Sequence, residues 1–173
     1  HRTEPIQVGE RRVNVEGPGE TPFLQVVYHA PPADHSDFFP LTVLDSVLTG
    51  ASSLNLFGGG MSNKTSRLYR SLVEGEIAAS VRGGLAATSD PFLYTIHATI
   101  RPDRSAEAAL EVLDREIARI LDEPMRQDEL LKASKQARAL FAFNSESVTN
   151  TAFWLGFSEM FADVAEFQGI HIL

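Results

Sequence analysis

The chain has 173 residues, of which 43% are hydrophobic and 22% are charged. This is ordinary globular usage, and the length suits one domain, so we predict a single unit over residues 1–173. The net charge of −8 and the scattered Lys and Arg residues argue against a nucleic-acid partner. No stretch is apolar enough to span a membrane, and the lack of cysteine excludes disulfides and thiolate chemistry.

The chain begins without an initiator Met or a signal peptide, and it is therefore interpreted as a fragment of a longer protein. Absence of cysteine fits both the cytoplasm and the periplasm, so the compartment stays open. The expectation is a soluble protein, with the cytoplasm preferred.

Two strands and two helices are predicted in the first half. Residues 11–16 alternate polar and apolar, and Gly17-Pro18-Gly19 then forms a turn. Residues 23–28 are almost all apolar, which predicts a central strand covered on both faces. A helix should follow and end near Gly50, with apolar positions Leu41, Leu44, Val47 and Leu48. A shorter helix should end at Gly75, with apolar positions Leu68, Leu72 and Val73.

The second half predicts a hairpin followed by three helices. Residues 77–87 and 92–101 should pair as antiparallel strands, with Asp90-Pro91 in the turn. Ser105 is placed to cap the first helix. The apolar stripes of the three helices are Leu110, Leu113, Ile117 and Leu121; Leu130, Ala133, Ala137, Leu140 and Phe141; and Phe153, Phe157, Met160, Phe161 and Val164. This order predicts an α+β fold with an antiparallel sheet covered by helices.

The glycine-rich segment 58–65 nearly fits a phosphate-binding loop, with Lys64-Thr65 at its end. Asn63 replaces the second glycine of that motif, and no buried strand precedes the loop. Nucleotide binding therefore remains a minor alternative, and a linker entering a helix is the simpler interpretation.

No catalytic metal motif is found among the five histidines, because none forms HExxH or HxxEH. The tightest polar cluster is His29, Asp34, His35 and Asp37, which spans a double proline and is better explained as a polar loop. His97 lies on the polar face of its strand and is assigned no role. No metal site is predicted in this chain.

One segment, Phe57-Gly58-Gly59-Gly60-Met61-Ser62 through Ser66-Arg67-Leu68-Tyr69, resembles the glycine-rich loop of insulinase/pitrilysin (inverzincin) zinc metallopeptidases, which include mitochondrial processing peptidase. Tyr28-His29-Ala30-Pro31 and Leu44-Asp45-Ser46-Val47-Leu48 are also similar to that family. The resemblance runs from about Gly9 to Glu166. It implies the second, non-zinc-binding half-domain, with a C-terminus that looks truncated.

Members of the family have two similar halves that close around a peptide, with HxxEH in the first half. The resemblance therefore implies no cofactor in this chain and zinc in the N-terminal half of the parent. It implies substrate contacts from Gly58, Gly59, Gly60, Met61, Arg67 and Arg70. An Arg and a Tyr that help to hold substrate in many active relatives fall on Val73 and on Ala79 or Ser80, which leaves those contacts without a matching side chain.

The predicted function is that of the non-catalytic C-terminal domain of a zinc-dependent metallopeptidase. It would complete the substrate chamber and bind extended peptide. Its partners would be the N-terminal half-domain and the peptide, and dimerisation is left open. The alternative is an inactive scaffold or interaction subunit of the same family, and the activity of the parent is left undecided.

Overall fold

The computed structural model describes residues 7–50, 64–145 and 148–161. Three antiparallel strands form its sheet in the order β1-β3-β2: β1 is Phe23–Ala30, β2 is Ala78–Leu85 and β3 is Phe92–Ile100. β2 and β3 form the predicted hairpin. The predicted α+β fold with an antiparallel sheet and helices is confirmed.

The sheet has one covered face and one face that we call the open face. Alternate residues of β3 are buried, because Tyr94, Ile96, Ala98 and Ile100 point toward the core. Residues directly opposite one another in antiparallel strands share a face. The register therefore assigns these residues to the open face: Phe23, Gln25, Val27 and His29 from β1; Leu93, Thr95, His97 and Thr99 from β3; and Ser80, Arg82 and Gly84 from β2.

Helices cover the other face. Helix α1 is Phe38–Leu48, a π-helix spans Tyr69–Glu74, and α2 is Ala106–Asp122. The core includes the fully buried side chains of Leu68, Leu72, Ile96, Ile100 and Leu113. Two further helices follow, α3 at Gln127–Ser145 and α4 at Val148–Phe161.

Several helix ends follow the sequence signals. The Ser105 hydroxyl accepts a hydrogen bond from the Ala108 N–H at 3.2 Å, so the predicted cap of α2 is confirmed. Gly50 follows the last turn of α1 with φ of +105°, a left-handed conformation that glycine adopts without steric cost. No helix in the described part of the chain combines the length and apolar character needed to cross a bilayer.

Three local predictions are wrong. Residues 11–16 form no strand and are exposed throughout. β1 is an edge strand of the described sheet rather than a central one. It is also covered on one face only, since Phe23 and Val27 on the other face are 73% and 43% exposed. Leu121 is 81% exposed, since the buried stripe of α2 is centred on Ala109, Val112, Leu113 and Glu116 and α2 ends one residue later.

Candidate substrate-facing surface

The predicted substrate-contact residues fall into two groups. Gly58, Gly59, Gly60 and Met61 lie outside the described residues. Arg67 and Arg70 are described, at the start of the π-helix segment, where Arg67 is largely buried and Arg70 is exposed. Only the two arginines can therefore be placed relative to other groups.

Arg67 is held by a carboxylate on α3. Its Nε and Nη2 donate to the two carboxylate oxygens of Glu129 at 3.1 and 2.7 Å. This fork-to-fork pairing is the strongest geometry available to an arginine and a carboxylate. The hydrogen bonds from Arg67 hold the pKa of Glu129 below its usual range, and Glu129 in turn raises the pKa of Arg67. Arg67 therefore fixes the entry to the π-helix against α3.

Changing Glu129 to Gln is expected to lower the free energy of unfolding at pH 7 by about 1.5 kcal/mol, because Arg67 loses a charged partner in a mostly buried position. The folded-state pKa of Glu129 is depressed, so its contribution is present above the unfolded pKa near 4.5 and disappears as pH falls through the lower folded value. Urea titrations, which add no screening salt, should therefore show a smaller difference between the two proteins at pH 3.5 than at pH 7.

Asp128→Asn is the matched control, since Asp128 also pairs with an arginine, Arg126, but both side chains are exposed. It should alter unfolding at pH 7 much less than Glu129→Gln does. Equal losses for both variants, or a Glu129→Gln deficit that is no smaller at pH 3.5 than at pH 7, would contradict the assignment.

The positions to which the resemblance assigns an Arg and a Tyr lie in the π-helix and in β2. Val73 is half-buried and packs against the core. Ala79 lies in the register shift between Ala78 and Ser80, where β2 carries a bulge. A bulge adds one residue to a strand and re-aims its neighbours. The one-residue ambiguity in aligning Ala79 or Ser80 thus coincides with a real irregularity of β2.

A buried polar cluster joins α1 to the sheet. The Asp45 carboxylate is fully buried, and its Oδ1 accepts hydrogen bonds from the Tyr94 hydroxyl at 2.7 Å and the Thr49 hydroxyl at 2.5 Å. Burial, with the nearby Asp45 charge, raises the pKa of Tyr94 far above its usual value, which keeps the phenol a donor. Gly83 of β2 lies directly against this cluster. The cluster has no access to solvent and is structural.

The open face contains a shallow groove of about 290 Å³, lined by Phe23, Leu24, Gln25, Ser80, Arg82, His97, Ala98 and Thr99. Gln25, His97 and Arg82 form one row across β1, β3 and β2, because His97 is opposite Gln25 on one side and Arg82 on the other. Sequence reasoning did not assign a role to Arg82 or Gln25. The available signal was Arg82 itself, the one charged residue in the small-residue strand 77–87.

The outer edge of β1 offers backbone groups. The Ile100 N–H donates to the Pro22 carbonyl at 2.9 Å, which makes this opposed pair a hydrogen-bonded one. Bonded and non-bonded pairs alternate along an antiparallel ladder. The backbone N–H and C=O groups of Phe23, Gln25, Val27 and His29 therefore point away from β3, and no other described strand lies beyond β1.

The described residues contain no group of side chains that could serve as the ligands of a catalytic metal ion. Within residues 7–50, 64–145 and 148–161, no three His, Asp or Glu side chains are grouped as a metal ion would require. A catalytic zinc site needs three protein ligands and an open position. The described residues thus do not fit a zinc ion.

The family of the chain is decided by its match to a family model. Residues 1–137 match the model described as the peptidase M16 inactive domain. The chain belongs to this family. Comparison with curated proteins gives no match.

Solved structures share the fold of this M16 inactive domain. A protease from Helicobacter pylori superposes with a TM-score of 0.73 at 20% identity, over 90% of this chain and 34% of that one. A candidate zinc protease from Bordetella pertussis Tohama I gives 0.71 at 23% identity, over 90% and 79%. A peptidase M16 inactive domain from Pseudomonas fluorescens gives 0.69 at 17% identity, over 91% and 34%.

These identities support the fold alone. The chain spans about a third of the Helicobacter pylori and Pseudomonas fluorescens chains. What a whole M16 protein would do with this inactive domain therefore belongs to a proposal.

Proposed function

We propose that this chain is the non-catalytic half of a zinc peptidase, and that it pairs with an N-terminal half that supplies the metal and the general base. Its own task would be to bind extended peptide and to complete the chamber in which cleavage occurs. Membership of the M16 inactive-domain family and the lack of a metal-ligand group among the described residues support this division of labour.

The observation that carries the peptide-binding part is the outer edge of β1. An extended peptide can add to a sheet edge through main-chain hydrogen bonds, whatever its side chains are. β1 presents outward N–H and C=O groups at Gln25 and Val27, and the side chains of these two residues lie on the open face. A peptide on this edge would place alternate side chains along the same face.

The predicted contact residues take different roles in this proposal. Gly58, Gly59 and Gly60 would let the peptide backbone approach closely, since glycine lacks a Cβ, and Met61 would contact the peptide beside them. Arg70 is exposed and would contact peptide directly. Arg67 would act by positioning, because Glu129 occupies two of its donor groups.

The test is the substitution Val27→Pro in the full-length protein. Proline removes an outward N–H, and on an edge strand it leaves the ladder to β3 in place. Affinity for a short, unstructured, fluorescein-labelled peptide should fall about tenfold through the lost bond and the altered strand path. Fluorescence anisotropy in the presence of a zinc chelator would measure binding without cleavage.

Val27→Thr is the matched control, because threonine keeps the N–H, the β-branched shape and the half-exposed position. It should bind peptide as the parent does. If Val27→Pro folds normally and also binds like the parent, the β1 edge is not the peptide site. If no variant and no parent protein binds any peptide, the alternative of an inactive scaffold subunit is favoured.

A further inference from the structure

We propose that the row formed by Gln25, His97 and Arg82 is a subsite for an acidic side chain of the bound peptide. This inference rests on the proposed peptide-binding function and adds a preference to it. The occupant would be an Asp or Glu carboxylate of an extended polypeptide bound along the β1 edge, with this side chain directed across the open face.

The first support is the juxtaposition of donors. His97 is the direct cross-strand neighbour of both Gln25 and Arg82, and such neighbours have Cβ atoms about 5 Å apart. Arg82 offers a planar set of N–H donors, His97 offers a ring N–H in either protonation state, and Gln25 offers an amide NH₂. A single carboxylate accepts several such bonds at its two oxygens.

The second support is charge. The whole chain has a net charge of −8, yet no open-face position of the three strands is Asp or Glu. Arg82 is exposed and forms no ion pair in the described part of the chain, as is also true of Arg70 and Arg115, but Arg82 alone of these three lies on this face of the sheet. Arg82 is thus a cation whose partner is not supplied by the surface around it.

The third support is the shape and lining of the groove. Phe23, which is 73% exposed, supplies an apolar wall for the stem of a side chain, and Ser80 and Thr99 supply neutral hydroxyls. A groove of about 290 Å³ accommodates a side chain. A polyanion such as nucleic acid would be repelled by the rest of an acidic protein. A lone carboxylate on a peptide fits both the size and the charge.

The experiment uses the full-length protein with its zinc removed by a chelator, and fluorescein-labelled peptides. A neutral host peptide of Ser, Thr, Ala and Gln carries one Glu, which is moved through successive positions, and each peptide has a counterpart with Gln there. At the preferred position the Glu peptide should bind about tenfold more tightly than its Gln counterpart. The preference should shrink at high salt.

The double substitution Arg82→Gln with His97→Gln should abolish this preference, so that the Glu peptide and its Gln counterpart bind equally. Arg82→Lys with His97 retained should preserve much of the preference, because the charge remains. Arg115→Gln is the matched control: Arg115 is exposed on α2, which covers the opposite face, and its loss alters the net charge as Arg82→Gln does.

The outcomes separate this inference from the proposed function. If every peptide binds but Glu and Gln counterparts bind equally, the acidic subsite is overturned while peptide binding stands. The same holds if the preference survives in the Arg82→Gln, His97→Gln protein or disappears in Arg115→Gln. If neither peptide class binds the parent protein, both the subsite and the peptide-binding function are overturned.

Discussion

Replacing Gly83 by Ala is expected to lower the free energy of unfolding by about 3 kcal/mol. A Cβ at this position would come closer than 3.0 Å to the Asp45 carboxylate and the Thr49 hydroxyl. Both side chains are buried and hydrogen-bonded to each other, so neither can move without breaking that contact. Chemical denaturation of the chain followed by far-UV circular dichroism would measure the loss.

Gly84→Ala is the neighbouring control. Its Cβ would approach only the Thr95 hydroxyl, at 2.9 Å, on the half-exposed face. Rotation of that side chain relieves the contact and gives up only a long hydrogen bond, 3.3 Å from the Thr95 hydroxyl to the Gly84 carbonyl. Alanine also loses less backbone entropy than glycine does on folding. The expected change is within about 1 kcal/mol. A Gly83→Ala protein as stable as Gly84→Ala would show that α1 does not press on β2 at this point.

Replacing Asp45 by Ala is expected to cost about 3 kcal/mol as well, for a different reason. The Tyr94 hydroxyl would lose its acceptor in a residue that is only 4% exposed, and the Thr49 hydroxyl would keep only a weak contact at 3.4 Å with the Asp45 carbonyl. Asp45→Asn should cost less, because the amide oxygen can accept the same bonds. The midpoint of guanidinium unfolding reports the difference.

A double-mutant cycle with Tyr94→Phe isolates the pair. Removing the hydroxyl and the carboxylate together should cost less than the sum of the two single changes, because no donor is then left without its acceptor. Strict additivity would mean that Tyr94 and Asp45 do not depend on one another. Asp45→Ala should also soften the effect of Gly83→Ala, because one of the two obstructing groups is gone.

The sequence predicts the parts of the fold that depend on local chemistry. The hairpin of β2 and β3 and the cap at Ser105 both depend on residues close together in the sequence, and the structure confirms both. The position of β1 at an edge is not a local property. A run of apolar residues fits a buried central strand and a half-exposed edge strand alike, because it does not record how many strands lie beyond it.

The candidate surface is less accessible to sequence reasoning for the same reason. Arg67 and Glu129 are 62 residues apart, and nothing near either residue indicates that they form a pair. The row of Gln25, His97 and Arg82 exists only once the registers of three strands are known. Asp45 gave a weak signal, since an acid between Leu44 and Val47 on an apolar helix needs a buried partner.

The edge position of β1 also bears on how the protein behaves in concentrated solution. Natural sheets usually protect their edge strands with charged residues or proline. β1 contains neither, and it exposes the apolar side chains of Phe23 and Val27. An unprotected edge is a template for pairing with a second copy. Electrostatic repulsion from the net charge of −8 opposes that pairing. Salt weakens this repulsion, because the Debye screening length is only about 8 Å at physiological ionic strength. Colloidal stability should thus depend on ionic strength even where folding stability does not.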